Sequence, residues 1–196
     1  MAAFKLLGGA LCLDFANTVD WRKGEPRELL RRAHDLADWA EQAGAVTGPE
    51  TQELREGAAL DPGRAEALHR RAIKLREAVY RVFKAHADGA SPREADLEHL
   101  NRELADAHSH MRLTREGPSY ALRLQAAPEK IIWSVAYSAV QLLTGPELNR
   151  VKECGDPRCG WLFLDTSRNQ SRRWCSMSDC GNRNKARTYY RRRRAV

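Results

Sequence analysis

Two cysteine pairs of identical spacing, Cys154-x4-Cys159 and Cys175-x4-Cys180, constrain this chain more than any other feature. Fifteen residues separate the pairs, and only one further cysteine, Cys12, lies elsewhere. A structural zinc ion takes four ligands in a tetrahedron, and small metal modules supply them as two close pairs from distant turns. Four thiolates fill that tetrahedron and leave no open position for a substrate, so the expected metal is one structural Zn2+ rather than a catalytic one. A module this short buries too little apolar area to fold unaided, which makes the metal part of its stability. The alternative, a pair of disulfides, fits an oxidising compartment. The N-terminus lacks the basic n-region of a secretory signal, and the longest apolar run, Ile131 to Leu143, is too short to span a bilayer. The expected location is the cytoplasm, where thiols stay reduced. Cys12 reads as a buried packing residue.

The residues around the four cysteines predict an order of elements. GDPR between Cys154 and Cys159 suits a tight knuckle, GWLFLDT reads as a strand, SRNQS as a turn and RRW as the returning strand. Cys180 then opens a helix that runs towards Arg194. Knuckle, hairpin and a helix carrying the last ligand describe a treble-clef-like zinc finger.

Charge is concentrated in the same stretch. The whole chain carries a formal net charge of +7. From Val151 onward there are 12 Lys/Arg against 4 Asp/Glu, a balance of +8, which leaves −1 for the first 150 residues. A neutral body with a basic folded tail points to a polyanionic partner. On a helix, Arg183, Arg187, Arg191 and Arg194 share one broad stripe. Lys185, Arg172 and Arg173 extend it, and Asn182 is placed to meet a base, a phosphate or the helix start. Tyr189 and Tyr190 either stack on bases or pack beside Trp161 and Trp174, and packing is favoured for at least one. Duplex DNA is the expected partner and RNA the alternative. One short module offers few contacts, so a homodimer or a partner protein is expected to supply specificity.

Residues 1–148 read as a helical domain and 149–196 as the metal module, giving a fold that is mainly α with minor β. Pro26 is expected to open a helix through Leu29, Ala33, Leu36, Ala37 and Ala40 to Gly44. Thr47-Gly-Pro-Glu50 has capping-box spacing, and Asp61-Pro62 is a cap followed by proline at the first helical position. Ser91-Pro92 with Glu94 signals another helix start. MRLT and YALRLQ around Gly117-Pro118 predict a β-hairpin, and Ile131 to Leu143 predict the central, most apolar helix. The opening GGALCLDFANTVDW has no clear period. Asp14, Asn17 and Thr18 within it either line a small-molecule pocket or satisfy backbone groups at a buried turn, with the second favoured. No P-loop, G-x-S-x-G, H-E-x-x-H or G-x-G-x-x-G is present, and an enzyme is not expected.

Two stretches carry a resemblance. Trp174-Cys175-Ser176-Met177, then Cys180-Gly181-Asn182-Arg183 and Lys185, preceded by Cys154-x4-Cys159, resembles the CGNR zinc-finger proteins. GGALCLDFANTVDW is similar to the opening motif of the ABATE domain that usually precedes this finger. The resemblance implies a bacterial, stress-linked transcription regulator; in the leading reading its helical body senses a ligand or dimerises. An adaptor that binds RNA or protein, or an enzyme localised by its finger, are the competing readings.

Overall fold

The computed structural model describes residues 4–194; within α7 the side chains of Arg192 and Arg194 lie outside the described set. The fold is mainly α with three two-stranded antiparallel sheets among the described residues. A short helix α1 (Leu11–Ala16) leads into strands β1 (Val19–Asp20) and β2 (Arg27–Glu28). Helices α2 (Ala33–Gln42), α3 (Gly48–Leu60), α4 (Pro62–Ala87) and α5 (Glu94–Ser109) follow. The hairpin β3 (Met111–Glu116) and β4 (Ser119–Leu124) precedes α6 (Lys130–Thr144). The metal module contributes β5 (Val151–Glu153), β6 (Leu162–Leu164) and α7 (Asn182–Arg194).

Local signals set most of these boundaries. Thr47 and Glu50 form a reciprocal capping box at the start of α3. Asp61 accepts the Arg64 N–H at 2.9 Å, and Pro62 occupies the first position of α4. The apolar face of α6 buries Ile131, Ile132, Val135, Ala136 and Ala139 against α1, α4 and α5. No described helix is long and apolar enough to cross a membrane.

Two helix starts differ from the sequence reading. Pro26 does not open a helix: Arg27 and Glu28 pair with Asp20 and Val19. The Glu28 carboxylate is drawn inward by Arg76 of α4, with both contacts at 2.7 Å. The helical period begins only at Ala33, where Asp35 accepts the backbone N–H groups of Arg31 and Arg32. Likewise α5 starts at Glu94 without a side-chain cap, and Ser91 caps nothing. Asp96 instead joins this turn to α4 through Arg93 and Arg81.

The body and the metal module share one core. Val151, Leu162 and Leu164 of β5 and β6 belong to the same buried cluster as Leu13, Phe15, Leu75 and Val135. Asn17 of the N-terminal motif closes the joint, because its Nδ2 donates to Leu162 O at 2.8 Å while its Oδ1 accepts from Leu162 N at 2.9 Å. Both bonds are buried. The Leu164 N–H reaches Gly8 O at 2.8 Å, and the Trp161 indole N–H reaches Val19 O at 2.9 Å. Gly8 is needed for this turn, since a Cβ there would stand 2.7 Å from Asp14 N. The unpatterned opening motif is therefore the seam along which the finger is attached.

Replacing Asn17 by Ala would strand a buried N–H and a buried C=O, each worth about 1–3 kcal/mol. The melting temperature should fall by roughly 5–10 °C in a calorimetric or circular-dichroism melt. An unchanged melt would show that Asn17 does not hold the seam.

Candidate metal centre and nucleic-acid interface

The knuckle between Cys154 and Cys159 is the loop of the β5–β6 hairpin: Val151 pairs with Leu164 and Glu153 with Leu162. The expected returning strand at Arg172-Arg173-Trp174 does not form, because β5, upstream of the knuckle, already occupies the paired edge of β6. Residues 165–174 instead wrap back across the module. Buried Asp165 holds this wrap, accepting from Lys152 Nζ at 2.7 Å, Ser167 Oγ at 2.6 Å and Arg172 N at 2.9 Å. Burial alone would raise its pKa, but these bonds outweigh burial and hold the carboxyl well below the usual range. Gly155 N donates to Arg173 O and Cys175 N to Cys154 Sγ, bringing the second pair over the first. A wide turn, Met177–Gly181, carries Cys180, and α7 begins after it rather than at Cys180 itself.

The four sulfurs lie within 4.8 Å of one another and all four cysteines are buried. Cys159 and Cys175 stand 3.8 Å apart, and Cys175 and Cys180 3.6 Å. A tetrahedron with zinc–sulfur bonds of about 2.3 Å has edges of about 3.8 Å, so the cage has the dimensions of a zinc site. Without a cation the four sulfurs cannot all ionise: hydrogen bonds from Cys159 and Cys175 favour a thiolate at Cys154, and that same bond to Cys154 first, then Cys175 and burial, push the Cys159 thiol far up. A dication reverses that balance and makes thiolates the stable form. The four cysteines fit a single structural zinc. Cys12, by contrast, is wholly buried in the body, and burial pushes its thiol to about 12.

A fully buried carboxylate, Asp156, braces the cage. Its Oδ2 accepts from Arg183 Nε and Asn184 Nδ2, both at 3.3 Å, and its Oδ1 accepts the Arg158 N–H at 3.1 Å with Arg187 Nη2 3.3 Å away. Arg183 also donates to Cys180 Sγ at 2.9 Å and rests 4.5 Å from the centre of the Trp21 ring. Trp21 takes Arg158 as well, at 5.0 Å, so the body grips the knuckle and the helix start through one indole. Arg22 N and Lys23 N donate to Cys159 O and Arg158 O. The chain approaches closely here because Gly160, at φ +74, offers no Cβ; one would stand 2.9 Å from Arg22 Cβ.

These contacts sort the residues singled out in the sequence. Arg183 and Arg187 sit inward on Asp156, and Arg172 donates to the carbonyls of Trp174 and Cys175 while covering the Phe163 ring. Asn182 is exposed, and its Nδ2 donates to Ser178 O at 3.1 Å, back across the preceding turn. Arg173, Lys185 and Arg191 are exposed, and the side chain of Arg194 lies outside the described residues. Neither tyrosine packs on the hairpin, contrary to the expectation for at least one. Tyr189 is 55% and Tyr190 65% exposed, and the two rings meet edge to face at 5.6 Å. In the N-terminal motif, Asp14 accepts from Gly8 N at 2.7 Å and burial raises its pKa to about 6. Asn17 bonds Leu162, and Thr18 donates to Phe15 O and accepts from Arg76. All three satisfy partners within the chain.

Asp156, Asp165 and Trp21 were not singled out in the sequence. An acid enclosed between zinc cysteines, with arginines one and two turns into the following helix, was the available signal for the first. The other two depend on contacts distant in sequence.

The architecture matches two family models. Residues 9–146 match ABATE, described as "Putative stress-induced transcription regulator", and residues 150–193 match the CGNR zinc finger. The chain belongs to the ABATE family. It carries a CGNR finger directly behind the ABATE body, and the two descriptions are those of a regulatory zinc-finger protein. No curated protein matches the chain.

Outer partners of zinc ligands commonly tune metal affinity by 10–100-fold. Asp156→Ala should therefore weaken zinc binding by roughly that factor in competition with a chromophoric chelator, while metal analysis of the parent chain returns one zinc. Equal affinity in the variant would remove Asp156 from the support of the cage.

Proposed function

We propose that this ABATE–CGNR protein regulates transcription by binding duplex DNA through α7. The observation that carries the reading is the helix itself. Its 13 residues hold seven Lys/Arg and no acid, and its first turns are fixed to the metal cage by Asp156 and Cys180. Arginine and lysine bind phosphate, and a basic helix anchored at its start can enter a major groove.

The contacts within the finger divide the labour among the cations. Arg183 and Arg187 anchor the helix and Arg172 braces the wrap. Lys185, Arg191 and Arg193 on α7, with Arg173 beside its start, are the exposed cations that meet phosphates or bases. Asn182 is exposed at the helix start and joins them. Two such helices, from a homodimer or from a partner protein, would be needed to read a full operator. The exposed Tyr189 and Tyr190 favour a second reading, in which the same face stacks on unpaired bases of RNA.

Fluorescence anisotropy with a labelled duplex at increasing salt tests the proposal. If four phosphates are neutralised, log K should fall with a slope of about −3.6 against log salt. Lys185→Ala with Arg191→Ala should bring the slope close to −1.8 while zinc content and melting temperature stay unchanged. No binding at low salt, or a salt-independent affinity, would overturn it. Stronger competition by single-stranded RNA than by duplex would favour the second reading.

A further inference from the structure

An apolar hollow of the body lies far in sequence from the finger, between α2, α3, the start of α4 and the start of α6. Its volume is about 350 Å³. The floor is formed by Leu36, Ala37, Leu54, Leu68 and Ile131, with Ala58 on the α3 side. Small residues leave the space open. Ala33, Gly57 and Ala65 complete the wall, and a Cβ built on Gly57 meets no atom within 4 Å. The hollow is partly open to solvent, so its apolar lining is surface that an occupant would take out of water. An engineered apolar cavity of about 150 Å³ in another protein stays dry and takes up benzene, and natural small-molecule sites begin near 300 Å³.

Helix α3 covers the hollow loosely. Only Thr51 of its 13 residues is buried, and Leu60, at its end and on the rim, is 88% exposed. A leucine left in water beside an apolar hollow gains burial if the hollow is filled.

The rim indicates the charge of the occupant. It carries Arg55 and Arg64 with Glu53 and Asp61, two cations against two acids. Both arginines already have carboxylate partners: Arg55 reaches Asp38 at 2.6 Å and Arg64 reaches Glu129 at 3.2 Å. Asp61 is occupied by the start of α4, and His34, also on the rim, lies 3.2 Å from Asp35. No cation is held in reserve for an anionic ligand.

We infer that this hollow is a binding site for a compact, uncharged apolar molecule, aromatic or branched aliphatic, that enters beneath α3. The site is separate from the N-terminal motif and does not depend on nucleic-acid binding.

The full zinc-loaded chain titrated with benzene, indole and camphor, and with indole-3-acetate as the charged congener, tests it. At least one neutral probe should bind saturably by calorimetry and raise the melting temperature by roughly 3–6 °C at ten times its Kd. Indole-3-acetate should bind more weakly than indole. Ala58→Leu should abolish the shift by filling the hollow. Gly57→Leu provides a second block whose Cβ meets no atom within 4 Å and which improves helix propensity, so it should fold even if Ala58→Leu does not. Absence of a shift with all three neutral probes would overturn the inference. So would undiminished binding in a folded blocked variant, or tighter binding of the acetate than of indole.

Discussion

Four buried sulfurs that cannot all ionise without a cation set the terms for everything at the C-terminal end. The cage fixes where Cys180 stands, and Cys180 fixes where α7 begins. Zinc alone would locate the helix start and leave its direction loose. Direction comes from Asp156, which sits inside the first cysteine pair and takes Asn184 and two arginines one turn apart on the helix. A buried carboxylate is costly unless it is paired. That cost makes the arrangement specific, because any other helix orientation would leave the charge with only the Arg158 N–H.

The finger does not hang from the body on a linker. Its hairpin completes the body's core, and Asn17, Trp21 and Gly8 of the N-terminal segment are spent on holding it. The ABATE opening motif and the CGNR signature, about 160 residues apart in the chain, therefore form one structural joint. A continuous route of contacts joins the body to the metal module through α1, β1 and the Trp21–Arg183 pair. Helix α4 lies on that route, since Arg76 and Glu77 hold Glu28 and Arg22.

What the sequence made legible was mostly local. Thr47 with Glu50, Asp61 with Pro62, and the break at Gly117-Pro118 each act within a few residues, and each produced the expected boundary. The cysteine spacing was legible because zinc geometry admits few alternatives. Pro26 misled because Glu28 answers to Arg76, 48 residues away, rather than to its own helical period. The returning strand misled because the paired edge of β6 was taken by residues before the knuckle. The helical spacing of the arginines was legible in the sequence, whereas the inward contacts of Arg183 and Arg187 and the exposure of Arg191 were not. Helical spacing places Arg183 and Arg191 on one face, yet only the fold reveals that the first turns of that face lie against a buried acid. The polar residues of LCLDFANT were legible as satisfying partners within the chain; that Asn17 would meet the Leu162 backbone, 145 residues away, was not.

The central claim is that the metal cage aims the basic helix, so that DNA binding depends on zinc although no zinc ligand need touch DNA. The most direct measurement is the affinity of the full chain for one labelled duplex before chelation, after complete removal of zinc, and after zinc is restored, at fixed salt. The account predicts a loss of roughly a hundredfold or more on removal, with recovery on reloading, because the charge is unchanged and only its arrangement is lost. Equal affinity in the stripped chain would mean that the arginines act as an unstructured basic tail, and would contradict it.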